Sequence, residues 1–454
     1  MVLTLILTCI RTRFAPAFKM STSVPIASSP LRSFNTSNSF KVPPKKAATN
    51  SKRKAQELAT VDSSNKKPKI SNASSDPLRQ PHSSAQDAEN HGIVLRAYYP
   101  PEMSNARALA YNKNELPRPM ELLNDALSET RSDRERIEVK DAVVHWFKCD
   151  LRTKDNKSLY LASEKAKEKG VPLITMYIVS PQDFEAHLTA PVRVDFILRT
   201  LKLLKENLAK LDVPLYVETV QKRKMIPGRI LELLKEWGAS HLFTNAEYEV
   251  DELRREAGLV RSCAQNDIAM SVLPDTCVVS PGELESGTGK QYSVYTPWYR
   301  AWMAYIHKNP EVLDLFDGPG SNPSSAREKY AHLFQHEIPH APENKKLSEE
   351  EKKRFSSMWP PGESEAHERL TRFVDKRIGD YQARRNFPAE IGTSSLSVHF
   401  ASGTLSARTA VRTARDHNST QKLDGGSQGI QTWISELAWR DFYKHVMVHW
   451  PYVA

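Results

Sequence analysis

Sulfur is scarce in this chain. Its four cysteines, Cys9, Cys149, Cys263 and Cys277, are scattered over 454 residues, and no two form a C-x-x-C pair. Such spacing supports neither a disulfide framework nor a cysteine zinc site, and a reducing compartment is the default. Long apolar runs are missing too. No stretch of 18 apolar residues occurs, so the sequence predicts no membrane-spanning helix. No acidic residue precedes Glu57. Nor does a G-x-G-x-x-G follow the first predicted strand, which disfavours a dinucleotide on that part of the chain.

Positive charge is in excess, and it is local. The formal net charge is +10. Residues 1–100 carry 15 Lys and Arg against 5 Asp and Glu, so the remaining 354 residues balance to zero. Bulk charge therefore describes the tail, and DNA binding by the body needs a local patch. Residues 1–18 are apolar, acid-free and carry Arg11 and Arg13, which reads as a mitochondrial transit segment. A secretory signal would place its basic residues ahead of the apolar run, and here they follow it. Lys45-Lys46, Lys52-Arg-Lys54 and Lys66-Lys-Pro-Lys69 sit among Ser, Asn and Pro. They read as a nuclear-import signal, with a solvated tail that touches DNA non-specifically as the alternative. Residues 1–100 are thus expected to be a disordered targeting tail and 101–138 a partly ordered lead-in.

From residue 142 the composition changes. Short runs rich in Val, Ile and aromatics lie at 142–148, 172–179, 214–220, 241–244 and 269–273. Helical patterns separate them at 156–168, 192–211, 227–236 and 250–265. Such alternation predicts an α/β domain over 139–278, a Rossmann-like, doubly wound, five-stranded parallel sheet with right-handed crossovers. Ligands in such sheets sit beyond the strand C-termini. Residues 279–363 are less regular and read as an interdomain connection with helical pieces, one of them starting at Thr296-Pro-Trp298-Tyr-Arg-Ala-Trp302, and 364–454 are helical again.

That last region holds the most informative stretch, T-W-I-S-E-L-A-W-R-D-F-Y at 432–443. Trp433, Glu436, Leu437, Arg440 and Tyr443 or Lys444 recur at three- and four-residue steps, so they share one helix face. A packing helix with a salt bridge explains this face, and so does a binding site. One decoy lies upstream, His336-Glu-Ile-Pro-His340, which matches the H-E-x-x-H zinc signature. Pro339 inside it breaks the continuous helix that zinc ligation needs, so no metal is expected.

Tyr381-Gln-Ala-Arg-Arg385-Asn-Phe-Pro, Gly392-Thr-Ser-Ser-Leu-Ser397, Ala401-Ser-Gly-Thr-Leu-Ser406 and the 432–443 stretch occur in that order. Together they resemble the motifs Y-x-x-x-R-x-x-P, G-T-S-x-L-S, A-S/T-G-x-L-S and E-L-x-W-R-D/E-F-Y of the photolyase/cryptochrome family. Within it they look most like the class I cyclobutane-pyrimidine-dimer photolyases, from about residue 142 to the end. The resemblance implies an all-α FAD-binding domain after the sheet and light-driven repair of pyrimidine dimers in DNA by electron transfer from reduced FAD. By resemblance, Tyr381, Thr393, Ser394, Ser395, Leu396, Ser397, Trp433 and Glu436 contact FAD. Arg385, Glu436, Trp439, Arg440 and Tyr443 form the DNA side, with Glu436 and Trp439 at the reacting lesion. Glu436 suits the cyclobutane-dimer type, since relatives acting on (6-4) photoproducts carry an amide there. Glu252 matches the acid that relatives use for a folate antenna, 5,10-methenyltetrahydrofolate. Asp251 stands where Asn is common, and a plain surface helix N-terminus explains both acids as well.

The expected partner is dimer-containing DNA, met by a monomer in nucleus and mitochondrion. A cryptochrome-type photoreceptor, or an inactive antenna- or DNA-binding fragment, are the rival readings. The family's helical domain continues for well over a hundred residues past the E-L-x-W-R motif, so the helical domain is expected to be incomplete here. On that reading the chain as given holds no stoichiometric flavin and repairs no DNA unaided, and the helix 433–448 shows water an apolar face.

Deleting residues 1–100 should leave the thermal melt of the rest unchanged, and a large loss of stability would contradict the reading of that tail. Reporter fusions of residues 1–40 and 41–75 should mark mitochondria and nuclei respectively, against a diffuse signal if neither is an address.

Overall fold

The computed structural model describes residues 104–453 apart from 288 and 388. Residues 1–100, read above as a targeting tail, lie outside the described residues. Three helices come first: α1 (Asn105–Asn112), α2 (Pro119–Glu129) and α3 (Arg131–Arg136). Pro119 opens α2 at a position where its missing amide costs nothing, and Glu121 reaches back to the Arg118 amide at 2.7 Å. Met120, Leu123 and Ala126 recur on one face of α2 and are buried, with α2 lying along a later helix, α8. The lead-in is thus helical, and it covers a face of the next domain.

The sheet follows as β1 (Ala142–Phe147), β2 (Leu173–Val179), β3 (Leu215–Thr219), β4 (Ala239–Asn245) and β5 (Ala269–Leu273). Between strands run α4 (Lys157–Lys169), α5 (Pro181–Ala186), α6 (Pro191–Ala209), α7 (Ile226–Glu236) and α8 (Val250–Ala264). All pairings are parallel and the order is β3-β2-β1-β4-β5. Every residue of β1 and β2 is buried, as a strand covered on both faces requires. The order reverses between β1 and β4, so the crevice of the switch point opens beyond their C-terminal ends. Amide side chains fill it. Asn156 caps α4 on the Leu159 amide at 3.2 Å, and Asn245 accepts from the Ser158 amide at 3.2 Å. The Asn245 amide also donates to Asp150 at 2.7 Å. The position a pyrophosphate would take in a dinucleotide fold is therefore occupied by the chain itself.

The second part begins with α9 (Tyr295–Lys308) and the short α10 (Ser325–Lys329) and α11 (Ala331–Gln335). It continues through α12 (Glu349–Met358), α13 (Glu363–Lys376), α14 (Tyr381–Arg384), α15 (Ser397–Ser402), α16 (Ala407–His417) and α17 (Gln428–His449). Trp298 and Trp302 of α9 lie fully buried in one core with Phe373 of α13 and with Trp433, Ile434 and Phe442 of α17. The stretch read as a connection therefore supplies two of the largest core side chains.

This also corrects the expectation of a bare apolar face on the helix 433–448. Trp433, Ile434, Leu437, Ala438 and Phe442 are buried, and Tyr443 is the large aromatic left exposed. Periodicity shows which residues want cover, not which element provides it. Here α9, α14 and α16 do. Gly429 lets α17 start against the 378–379 backbone, because a Cβ there would overlap the Ile378 carbonyl oxygen.

Buried charge joins the two parts. Arg152, just past β1, donates to Asp275 at 2.5 Å and to the Gly403 carbonyl at 3.1 Å. Arg408 of α16 reaches Asp155 at 2.8 Å and Asp275 at 2.6 Å. All four ionic side chains are buried. Burial raises the Asp275 carboxyl, but the Arg408 and Arg152 guanidinium groups outweigh it and hold it below its ordinary value. Gly403 has φ +70°, and a Cβ there would overlap the Cys149 carbonyl oxygen.

Gly403→Ala should therefore destabilise the fold by at least about 2 kcal/mol in a denaturant melt. Gly228→Ala, inside α7 with nothing near its Cβ position, should be neutral or gain up to about 1 kcal/mol. Equal effects would show that the close approach at Gly403 is not a constraint.

Candidate functional site

Helix α17 carries Trp433, Glu436, Trp439, Arg440 and Tyr443 of the residues that the sequence singles out. Trp433 points into the core and packs on Phe373 with ring centroids 5.1 Å apart. Tyr381, at the start of α14, meets the same Phe373 edge-on at 5.7 Å. Phe373 thus bridges two residues of separate motifs, and nothing in the α13 pattern marks it beyond an ordinary core position. Burial and the nearby Glu436 carboxylate push the Tyr381 phenol up to about 12.

One turn along α17 from Trp433, Glu436 forms an ion pair with Arg385 from the end of α14. Its side chain is 36% exposed, against 18% for Arg385, so the pair sits at the rim of the core. Three residues further on, Trp439 stacks face to face on Tyr295 of α9, centroids 3.5 Å apart and planes 8° from parallel. The Tyr295 hydroxyl lies 2.9 Å from both the Ser435 carbonyl and the Ser435 hydroxyl, which fixes the ring beneath the indole. Tyr443 lies on the same flank, 5.6 Å from Trp439. Arg440 turns away from this group and donates to the Thr276 carbonyl at 2.6 Å, a contact with the loop after β5. Its guanidinium is committed to joining the two parts.

The hydroxyl run precedes α15. Gly392 is pressed against Arg384, where a Cβ would come within 2.7 Å, so the run turns back onto α14. Ser395 has φ +54°, and Leu396 is fully buried in the core that holds Tyr381 and Trp433. Thr393 and Ser397 are exposed and Ser394 and Ser395 half-buried. None of these four side chains makes a hydrogen bond among the described residues. Hydroxyls without partners at a helix start suit a phosphate or pyrophosphate.

Two residues to which the resemblance gives no role, Asp441 inside the last motif and His445 beyond it, hold α17 in place. Asp441 is fully buried, accepting from the Val278 and Val279 amides at 2.8 and 3.2 Å and from the Trp302 indole at 3.2 Å. Burial raises its carboxyl to about 6, against the pull of Arg440 and the two amides. His445 is held between the Val279 carbonyl at 2.8 Å and the Trp298 indole at 3.4 Å, and burial lowers its imidazole to about 4. A polar residue on the apolar side of a helix is the signal that would have found both.

Asp251 and Glu252 sit in the first turn of α8, in a second cluster. His187 reaches Glu252 at 3.2 Å and Asp251 at 3.5 Å. Arg223 pairs with Asp251 and lies 2.7 Å from Asp183. Arg255 approaches Asp183 at 3.4 Å. Glu252 is buried rather than lying on a plain surface, and its Oε2 has no partner among the described residues. Burial raises its carboxyl to about 8. Burial also opposes charge on His187, but the Glu252 hydrogen bond and the carboxylates of Asp251 and Glu249 win, raising it to about 9. Ligating atoms of Asp183, His187 and Glu252 lie within 4.8 Å of one another. Both arginines engage those same carboxylates, which leaves little negative charge for a cation. The H-E-x-x-H stretch is extended after α11, with His336 donating to the Val217 carbonyl at 2.8 Å.

The DNA photolyase family model matches residues 143–314. Over 386 residues the chain is 62% identical to a deoxyribodipyrimidine photo-lyase of Neurospora crassa, which is 84% of this chain and 63% of that protein. A protein of the same name from Vibrio cholerae is 33% identical over 311 residues, 67% of this chain and 61% of the relative. Among solved structures, a class III photolyase from Agrobacterium tumefaciens has a TM-score of 0.55 at 23% identity, over 68% of this chain and 59% of that one. The chain spans about three-fifths of the length of the curated relatives it matches.

The second cluster predicts a pH dependence. With the folded-state value of His187 raised above its ordinary 6.5, its stabilisation is complete below that pH and is lost as pH rises through about 9. The raised Glu252 carboxyl acts in the same direction. Stability should fall by on the order of 1–3 kcal/mol between those limits, and His187→Gln should flatten that slope in thermal melts. Parallel slopes would remove the cluster as the cause.

Proposed function

The chain belongs to the DNA photolyase family, and from that premise we propose that it serves light-driven repair of cyclobutane pyrimidine dimers in DNA. The observation that carries this reading is the row along α17. Trp433 in the core, Glu436 paired with Arg385 at the rim, and Trp439 stacked on Tyr295 stand on successive turns of one helix.

Residues present here fit the diphosphate side of FAD. The partnerless hydroxyls of Thr393, Ser394, Ser395 and Ser397, with Tyr381 behind them, would hold the diphosphate and ribityl part, and Trp433 and Glu436 would lie beside it. When bound, the reduced flavin supplies the light-excited electron that splits the cyclobutane ring. The chain's own residues do the rest. Trp439 offers a flat face to a pyrimidine pair turned out of the stack. The Arg385 guanidinium can leave Glu436 for a backbone phosphate, and the freed carboxylate then accepts from the extruded bases. The fixed Tyr295 ring keeps the indole in one orientation before DNA arrives.

The folate antenna, 5,10-methenyltetrahydrofolate, falls to the α8 cluster. A buried Glu252 acceptor without a partner is the feature that supports it, since a pterin presents amide-like donors. Residues 1–75 would carry the protein to mitochondrion and nucleus, where it acts as a monomer.

Selective binding is the part these side chains carry directly, so binding is the test. The chain should prefer an oligonucleotide with one cyclobutane dimer over the undamaged duplex. Trp439→Ala should weaken the damaged complex by roughly 1–3 kcal/mol and leave the undamaged one nearly unchanged. Arg385→Ala should weaken both and lower the salt dependence. Equal losses for Trp439→Ala on both DNAs would return that residue to a packing role.

A further inference from the structure

The turn that leaves α14 carries apolar side chains into water. Phe387 is 56% exposed and Ile391 80%. One such residue on a surface needs no explanation. Two so close in sequence, on a turn tied down at several points, do. The Phe387 amide donates to the Arg384 carbonyl at 3.0 Å, the Glu390 amide to the Phe387 carbonyl at 3.1 Å, and the Gly392 amide to the Glu390 carbonyl at 2.9 Å. Gly392 closes back onto Arg384, so the two legs of the turn meet at its base. The apolar side chains at its tip stand outside the core.

That base adjoins the α17 row. Arg385 pairs with Glu436, three residues before Trp439. Arg384 beside it is exposed, and its carboxylate neighbours, Asp380 and Glu390, lie at 3.7 and 3.9 Å. An apolar tip thus stands on two arginines, next to the helix where a lesion is proposed to stack.

Chemistry narrows the occupant. Guanidinium groups meet phosphate oxygens, and apolar side chains enter a duplex as wedges between base steps. A protein partner would ask for a wider apolar patch, but Asn386, Ala389 and Glu390 around the tip are exposed and polar or small. A duplex whose lesion has been turned out offers an unfilled gap in its stack. We infer that Phe387, with Ile391 beside it, fills that gap as a wedge while Arg384 meets the flanking backbone. The inference rests on the repair reading above, and adds to it a residue that holds the duplex rather than the lesion.

A wedge acts on a duplex and has nothing to enter in a single strand, and the test uses that difference. The full chain is titrated with a duplex carrying one cyclobutane dimer, the same dimer in a single strand, and the undamaged duplex. Phe387→Ser/Ile391→Ser should weaken the damaged duplex by about tenfold and the damaged single strand by no more than about twofold. Trp439→Ala, which removes the stacking face, should weaken both damaged forms. Phe387→Leu keeps an apolar tip and should bind like the unaltered chain, which separates a wedge from a local loss of fold. The inference is overturned if the serine variant binds the damaged duplex normally, or loses both damaged forms equally, or is matched by Phe387→Leu. If the unaltered chain shows no preference for the damaged duplex, this inference and the repair reading fall together.

Discussion

Four buried charges set the geometry on which everything else rests. Arg152 and Asp275 from the α/β part, Asp155 beside them, and Arg408 from α16 balance one another out of water. Such a network adds little net stability over an apolar contact, but removing one member strands a buried charge and costs about 3–5 kcal/mol. It therefore selects one docking of the helical part against the sheet. The close approach at Gly403 is part of the same choice, since only a residue without a Cβ lets α15 end against the Cys149 carbonyl.

The sheet's own crevice takes no share in the candidate chemistry. Asn156, Asn245 and Asp150 satisfy one another where a nucleotide fold leaves room, and the first amides of α4 are capped from within. The candidate sites lie instead on the flanks, at the first turn of α8 and along α17.

Much of this was legible in the sequence. The five strands lie where continuous apolar runs place them, because a strand covered on both faces must be apolar throughout. β4 begins at Ala239, earlier than its apolar run, because Ala239 pairs with Ala142 and Ser240 is carried in a register shift before His241, and neither looks like a strand residue. The motif residues Tyr381, Arg385, Trp433 and Glu436 come together through Phe373 and the rim ion pair. Direction was not legible. Arg440 shares a helix face with Glu436 on paper, yet its length carries the guanidinium back to Thr276. Glu252 reads as a surface acid at a helix start, and only the arrival of His187 and Arg255 buries it. The lead-in helix α2 and the core role of Trp298 and Trp302 on α9 were not legible for one reason: their partners lie more than a hundred residues away.

Asp441 has a consequence for aim. Successive residues of an α-helix are about 100° apart around its axis, so one fixed side chain sets the bearing of all the others. Asp441 is fastened to the Val278 and Val279 amides, on the side of α17 opposite the solvent. Glu436 and Trp439 consequently cannot swing without pulling a buried carboxylate off two amides and an indole. The helix is indexed like a keyed shaft, and the key lies in the loop that leaves the sheet. Val278 and Val279 lend only their backbone amides, so a shift of that loop would turn Glu436 and Trp439 together.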